Sequence, residues 1–331
     1  MRFFAWNNLL LSHTHIRIKC VTSGIPLRST ETTETQMSYQ NQRYPQQYPQ
    51  QRRRRSGAFS GLKLRLIIGA AIVLFSVVSF MNKGEVNPVT GEKQRVDMTI
   101  SQEINNGLAA VGQMGPQSRN KRAQDHVDEI GFNLVRQLQQ RLYREGIEIP
   151  YPFEFHLLAK PEINAFALPG GQVFLTETLY RALEGSPGEH DARIAGVLGH
   201  EIGHVIERHG AERMAKGNLI SGIVGAAGVA GGDMSGRNAA SYVGNLINMK
   251  YGRGDELESD KWGLELMMLA NYHPKYLLDV MEVLKRTGGG TPEFLSTHPS
   301  SETRIQKIEE YIRDNRDRIE AKQNRRILNI E

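Results

Sequence analysis

The stretch Ile194-Ala-Gly-Val-Leu-Gly-His-Glu-Ile-Gly-His-Val-Ile206 contains two histidines four residues apart, with a glutamate directly after the first. Its apolar residues recur at spacings of three and four, which predicts a helix near residues 188–208. On a helix, His200 and His204 lie on one face about one turn apart, so both imidazoles can bind one tetrahedral Zn²⁺ ion. Glu201 can reach a water on that metal. The pattern therefore predicts one zinc ion per chain.

A third ligand would complete this site, and its place distinguishes the classes of zinc site. The metzincin class has a glycine three residues and a histidine six residues after the second histidine. After His204 the chain has Glu207 and Gly210 at those places. His209 is one residue off, turned by about 100° if the helix continues. The spacing therefore excludes a metzincin-like site.

Carboxylates are the remaining candidates for the third ligand. A thermolysin-like site would draw a glutamate from the stretch after the second histidine, but residues 213–232 contain no acid. Glu256 and Asp260 are four residues apart, so on a helix one can bind the metal while the other holds a ligand histidine in place. The spacing predicts two helices that face each other across a zinc ion, and it leaves the choice between the two carboxylates open.

The motifs around these residues resemble the M48 metallopeptidase family, which contains HtpX-type and prenyl-protein-processing proteases. The resemblance is carried by His200-Glu-Ile-Gly-His204, Tyr251-Gly-Arg-Gly-Asp-Glu-Leu-Glu-Ser-Asp-Lys-Trp-Gly263, Asn164-Ala-Phe-Ala-Leu-Pro-Gly-Gly171 and His298-Pro-Ser with Arg304. Asn87-Pro-Val-Thr-Gly91 most resembles the Oma-type and periplasmic BepA/LoiP-like branch. The resemblance extends over about residues 87–315.

The resemblance implies roles for individual residues. It makes Glu256 the third zinc ligand and places His298 near the site, as an oxyanion donor or as a latch over the open metal position. Asp260 is expected to orient a ligand histidine, and Arg304 to pair with a site carboxylate. The alternatives are that His298 is a loop residue and that Arg304 is a surface charge on the last helix.

The whole pattern predicts an α+β fold, a mainly helical zincin-like metallopeptidase domain with a small β-sheet. Apolar residues at helical spacing mark a helix at Val127–Leu142. Further helices are expected near residues 255–270, 274–286 and 301–322. Alternating and extended patterns predict strands near 153–157, 164–168 and 172–175, and Pro169-Gly-Gly171 predicts a turn between the last two.

Peptide-bond hydrolysis is the chemistry that these residues predict. Glu201 would take a proton from water and later hand it to the leaving amine. An extended substrate is expected to pair with the edge of the strand formed by Asn164, Ala165, Phe166, Ala167 and Leu168. An ordinary core strand is the alternative for those residues. The expected substrates are polypeptides, misfolded or membrane-associated, in membrane or envelope quality control or in regulated processing.

Charge is distributed unevenly along the chain. Of 41 Lys and Arg residues, eleven lie in residues 1–65, which hold only two of the 36 acids, so the rest of the chain has 30 basic and 34 acidic residues. The high pI therefore belongs to a tail, and a nucleic-acid partner is not expected. The one cysteine, Cys20, allows neither an internal disulfide nor a cysteine-based site in the body.

A membrane anchor is predicted at residues 62–82. Leu66–Met81 carries no charge and follows Lys63 and Arg65, which suits a short helix across a lipid bilayer. A cleaved signal peptide is the alternative, although no Ala-x-Ala-like site follows. The positive-inside rule places the N-terminus in the cytoplasm and the catalytic domain in a bacterial periplasm, or in the mitochondrial intermembrane space of a eukaryote.

The remaining boundaries follow from composition. Residues 1–61 are expected to be a disordered basic tail, with 1–36 either a transit peptide or sequence before a true start at Met37. The other expected segments are a connector at 83–117, the zinc metallopeptidase domain at 118–322 and a C-terminal tail at 323–331. The Gly/Ala-rich run 219–232 is expected either to pack or to touch the membrane.

Two other functions fit parts of the pattern. One is a non-catalytic chaperone or scaffold that binds unfolded chains, with zinc held by four protein ligands for structure alone. The other is a membrane-surface adaptor that uses the four consecutive arginines Arg52–Arg55.

Overall fold

A computed structural model describes residues 58–231, 250–286, 293–299 and 302–327. The expectations for the tail before residue 58, including the presequence and the alternative start, lie outside these described residues. Within them, the chain is mainly helical with two small sheets, as predicted. The helices are α1 Ala58–Asn82, α2 Ile100–Ala110, α3 Lys121–Arg144, α4 Glu177–Ala182, α5 Pro187–Ile206, α6 His209–Gly231, α7 Arg253–Leu269, α8 Tyr276–Arg286, α9 Glu293–Thr297, α10 Glu302–Asp314 and α11 Arg316–Ile327.

The larger sheet contains the predicted hairpin. Its strands are β3 Glu154–Leu158, β4 Ala165–Leu168 and β5 Gln172–Thr176, and the short strands β1 Glu85–Val86 and β2 Lys93–Gln94 pair separately. β5 lies in the middle, parallel to β3 and antiparallel to β4. Gly170 and Gly171 adopt φ values of 89° and 105°, which side chains disfavour, so they make the turn. Within the described part of the chain, β4 is an edge strand.

Helix α5 forms the centre of the molecule. Glu189 caps its first turn by accepting a hydrogen bond from the backbone N–H of Ser186 at 3.2 Å, and Pro187 starts it without losing a hydrogen bond. Its second half is buried at every position, between the helix α3, the sheet and the helix α7. Two glycines of α5 bring it into backbone contact with α7: a Cβ on Gly203 would lie 2.9 Å from the Cα of Ser259, and one on Gly199 would lie 3.1 Å from the Cα of Gly263. This close packing sets the histidine motif opposite the carboxylate motif.

The chain turns sharply where α5 ends. The helix predicted to reach residue 208 ends at Ile206, and Arg208 adopts a φ of 56°, so α6 starts in a new direction at His209. A break of this kind ends a helix because the left-handed conformation cannot continue it. The side chain of His209 is therefore not where a continued α5 would put it.

The segment predicted as a connector packs against this turn. The amide of Asn87 donates to the carbonyl of Ile206 at 2.8 Å, and Gln94 donates to the carbonyl of Glu207. Arg208 is buried and pairs with Glu103 of α2. The two amide bonds satisfy two of the carbonyls that a helix leaves free at its C-terminus, so residues 85–103 hold the end of α5.

The expectation of one helix over 301–322 is wrong. Two helices, α10 and α11, meet at Asn315, whose side-chain amide donates to the carbonyl of Tyr311 at 2.9 Å. Short polar side chains of this kind compete with helical backbone bonds, which explains the break.

Helix α1 contains the predicted apolar run. Gly61–Asn82 is long and apolar enough to cross a membrane, judged by length and composition. Large side chains remain exposed along it, among them Leu74 at 65% and Phe75 at 74%. Its described partner is α6.

Candidate metal centre and active site

Four side chains from three parts of the chain meet beside α5. His200 and His204 come from α5, Glu256 from the first turn of α7, and His298 from the residue after α9. Each offers one ligand atom, and these four atoms all lie within 4.8 Å of one another. All four side chains are buried. The two facing helices expected from the motifs are present, and His298 joins them from a third part of the chain.

The separations between these atoms fit a metal. The two Nε2 atoms of His200 and His204 are 3.1 Å apart, and each lies 3.6 Å from a carboxylate oxygen of Glu256. Zn–N and Zn–O bonds of about 2.0–2.2 Å give ligand–ligand separations of about 3.3–3.5 Å at a tetrahedral ion. The donor set of two imidazoles and one carboxylate is also one that zinc uses in hydrolytic sites. The residues therefore fit a zinc ion.

Glu201 points into this site without a hydrogen-bond partner among the described residues. Its side chain is fully buried, and both carboxylate oxygens lack hydrogen-bond partners there. The Nε2 atom of His298 lies 3.6 Å from Glu201 Oε1. Burial raises the pKa of Glu201 above its usual range. A buried carboxylate with free acceptor atoms is costly unless something polar joins it, and a water or substrate beside a metal would do so.

Asp260 and Arg304 support the site from behind. Asp260 Oδ1 lies 3.0 Å from His200 Nδ1, the ring nitrogen that faces away from the other ligands. Arg304 is buried and donates to both Asp260 oxygens at 2.6 Å, and it also pairs with Glu256. Burial raises the pKa of Asp260, but the charge and hydrogen bonds of Arg304, together with His200, outweigh burial and leave that pKa lowered. Asp260 therefore remains an acceptor that can hold the ring of His200.

A second chain of hydrogen bonds holds His204, and sequence reasoning missed it. The Nδ1 atoms of His204 and His209 are 2.9 Å apart, and the Nε2 atom of His209 lies 2.9 Å from Glu258 Oε2. A carboxylate only accepts, so His209 donates to Glu258 through Nε2 and accepts from His204 through Nδ1. This leaves the Nε2 lone pair of His204 free for a metal. Only the turn at Arg208 makes the contact possible.

His298 occupies the remaining side of the cluster. Its Nδ1 lies 3.0 Å from Glu256 and 3.2 Å from His200 Nε2, and its ring stacks on Phe294 and Tyr251. Burial lowers the pKa of His298, but the carboxylates of Glu201 and Glu256 outweigh burial and raise it overall. Tyr251 also stacks on His204, with ring centroids 3.7 Å apart. The sequence indicates Tyr251 only as the first residue of a motif, and its stacking on two histidines of the site is not predictable from that motif.

The predicted substrate strand borders the site at one end. Ala167 and Leu168 of β4 line a small crevice together with His204 and Tyr251. Ala165 and Leu168 are buried in the core, and Asn164 lies before β4, where its backbone carbonyl accepts from Thr176. Phe166 stacks on Phe174 of β5. The side chains of Ala165, Phe166 and Leu168 thus pack inward, while the end of β4 borders the crevice beside His204.

A histidine pair on one helix that faces a carboxylate on a second, beside a free glutamate, is the arrangement of a metal-dependent hydrolase. The sequence matches Peptidase family M48 over residues 131–312, which is more than half of the chain. The chain belongs to peptidase family M48, and the resemblance seen in the motifs is confirmed.

Curated relatives come from the branch that the motifs indicated. Mitochondrial metalloendopeptidase OMA1 of Schizosaccharomyces pombe is 37% identical over 163 residues, which cover 48% of this chain and 47% of that protein. OMA1 of Saccharomyces cerevisiae is 31% identical over 171 residues, 48% of this chain and 47% of the relative. The Beta-barrel assembly-enhancing protease of Escherichia coli K12 is 28% identical over 265 residues, 75% of this chain and 52% of the relative. The chain spans about half the length of these relatives.

Proposed function

We propose that this chain is a zinc-dependent endopeptidase. The observation that carries the proposal is the convergence of His200, His204 and Glu256 at separations that suit one zinc ion, with the free carboxylate of Glu201 beside them. Membership of a metallopeptidase family supports it. The names of the relatives, a mitochondrial metalloendopeptidase and a β-barrel assembly-enhancing protease, point to the same chemistry.

Glu201 carries the proton transfers in this proposal. A zinc ion held by His200, His204 and Glu256 would act as a Lewis acid on the peptide carbonyl and would make water acidic enough to lose a proton near neutral pH. Glu201 accepts that proton and returns it to the leaving amine. Burial suits it to this role, because a carboxylate with a raised pKa is a stronger base. Asp260 holds the ring of His200 through Nδ1, which would leave Nε2 to bind the zinc.

The substrate is proposed to bind along β4. An edge strand offers unpaired backbone groups to an extended peptide, and β4 ends at the crevice that His204 and Tyr251 line. Main-chain pairing there would deliver a peptide bond to the metal with little dependence on side chains. This suits a protease for misfolded or membrane-associated polypeptides.

His298 is proposed to act as a latch. Its ring nitrogen lies at hydrogen-bond distance from two of the three ligand side chains, where it closes the position that substrate or water would take. A catalytic zinc keeps that position open, so His298 must leave before a peptide enters. The same geometry favours a second candidate function, a non-catalytic chaperone or scaffold with a structural zinc held by four ligands.

The anchor and the location belong to the same proposal. Helix α1 exposes apolar side chains that a bilayer would cover, and Lys63 and Arg65 lie at its cytoplasmic or matrix end. The catalytic domain would then face a bacterial periplasm or a mitochondrial intermembrane space. Quality control or regulated processing of membrane proteins is the proposed role.

Replacement of Glu201 by Gln separates the two candidate functions. We expect E201Q to lose cleavage of casein or of an unfolded protein while it keeps its zinc, because glutamine fills the same space but takes no proton. E145Q, at an exposed glutamate beyond the end of α3, is the matched control and should cleave normally. Full activity of E201Q would overturn the proposed peptidase function. Prevention of aggregation by both E201Q and wild type, without cleavage by either, would favour the scaffold.

A further inference from the structure

The second half of α6 lacks charge. Leu219–Gly231 reads Leu-Ile-Ser-Gly-Ile-Val-Gly-Ala-Ala-Gly-Val-Ala-Gly, and Lys216 is the last charged residue before it. At 1.5 Å per residue this half measures about 20 Å, two-thirds of the hydrocarbon thickness of a bilayer. The first half of α6, by contrast, carries His209, whose ring contacts a candidate zinc ligand.

This uncharged half packs along α1. A Cβ on Gly69 would lie 3.1 Å from the carbonyl of Ala226, and a Cβ on Gly222 would overlap the side chain of Ser76. Later residues of α1 thus meet earlier residues of α6, so the two helices run antiparallel. Contacts this close through small residues are typical of helices that pack within lipid.

The outer surface of the pair is apolar. Ile220 is 61% exposed and Val224 is 64% exposed, and Leu74 and Phe75 of α1 are exposed to a similar degree. No described part of the chain covers these side chains. Exposed apolar surface is unfavourable in water, and a hydrocarbon environment removes that cost.

Charged and polar groups begin at the same level on both helices. Lys83, just after α1, forms an ion pair with Asp97, and Asn218 of α6 donates to the same Asp97 at 2.9 Å. Lys216 pairs with Glu212 one turn further toward the active site. A boundary shared by two helices, apolar on one side and charged on the other, is what the surface of a membrane imposes.

We infer that Leu219–Gly231 enters the lipid bilayer beside α1, so that the chain is held by an antiparallel pair of helices. This inference rests on the proposed anchoring role of α1. It also fixes the position of the active site: His209 and Leu219 are ten residues apart on one helix, or about 15 Å. Polypeptide segments close to the membrane surface are therefore the substrates that this site reaches.

Lipid-dependent quenching tests the inference on the full chain. In a Cys20→Ser background, single cysteines replace Val224 of α6, Leu74 of α1 and Lys216 as the water-facing control. Each is labelled with an environment-sensitive fluorophore and reconstituted into phosphatidylcholine vesicles with or without lipids that carry a spin label on their acyl chains. We expect quenching at positions 224 and 74, and none at position 216.

The outcomes separate this inference from the proposed anchor. Quenching at position 74 but not at position 224 would overturn the membrane insertion of α6 and leave the anchor α1 in place. The absence of quenching at both would overturn both. Ile220→Cys, on the same exposed side of α6, repeats the measurement if V224C does not fold. The absence of quenching at position 220 would likewise overturn the membrane insertion of α6.

Discussion

The hydrogen-bond chain from Glu258 through His209 to His204 predicts a loss of zinc affinity when it is cut. His209→Ala removes the acceptor that keeps the proton on Nδ1 of His204 and the Nε2 lone pair directed at the metal. Nothing else described in the structure contacts that nitrogen at hydrogen-bond distance. The ring of His204 would then lose both its tautomer and its orientation.

The magnitude follows from the geometry. Both links measure 2.9 Å and His209 is buried, so the ring of His204 is held by a well-formed bond. Loss of such an outer partner weakens metal binding by about 10–100-fold, or about 1.4–2.7 kcal/mol. Glu258 is half-exposed, so E258A should cost less, and E258Q should cost least because its amide oxygen still accepts from His209.

Competition against a chelator of known affinity measures these differences, and the absorption of bound Co²⁺ reports the ligand geometry directly. His126→Ala is the matched control, because His126 also pairs with a carboxylate, Asp191, but sits with Tyr180 and His190 away from the site. Wild-type zinc affinity and an unchanged cobalt spectrum in a folded H209A protein would refute this reasoning.

Two other substitutions test the packing and the charges behind the site. Gly203→Ala should destabilise the protein by about 1–3 kcal/mol in urea unfolding, because its Cβ would press on Ser259 and part α5 from α7; Gly254→Ala, which meets open space, is the control, and equal stability of the two would contradict the close approach. Arg304→Met should cost about 3–5 kcal/mol in the metal-free protein, because it removes the buried cation that pairs with both Glu256 and Asp260, and less once zinc is bound. A cost no larger than that of Lys307→Met, at an exposed position of the same helix, would show that the buried pairing is unimportant.

The local periodicity of the sequence was enough to put His200 with His204, and Glu256 with Asp260, on shared helix faces, but only the family resemblance indicated Glu256 as the ligand and His298 as a neighbour. Spacings of four residues on α5 and α7 determine which side chains share a face, and this needs only helix geometry. The β4–β5 hairpin was equally predictable, because its turn depends on two adjacent glycines. Each of these features depends on residues that lie within a few positions of one another in the chain.

Features that depend on tertiary structure were not predictable in the same way. The contact of His209 with His204 requires a left-handed residue at Arg208, which no local pattern indicates. The burial of Arg304 and the docking of Asn87 on the end of α5 depend on segments more than 40 residues away in the chain. The division of the last helix at Asn315 shows how a single side-chain bond ends a helix whose apolar periodicity would allow it to continue.

One zinc ion bound by His200, His204 and Glu256 is proposed to make this chain a peptidase. The direct measurement is a zinc titration of metal-free protein, with casein cleavage and bound zinc followed in the same samples. Cleavage should rise in proportion to bound zinc and stop at one ion per chain, and Glu256→Gln should shift the binding curve to higher zinc. Full cleavage by metal-free protein, or zinc bound at one per chain by wild type without any cleavage, would contradict the claim.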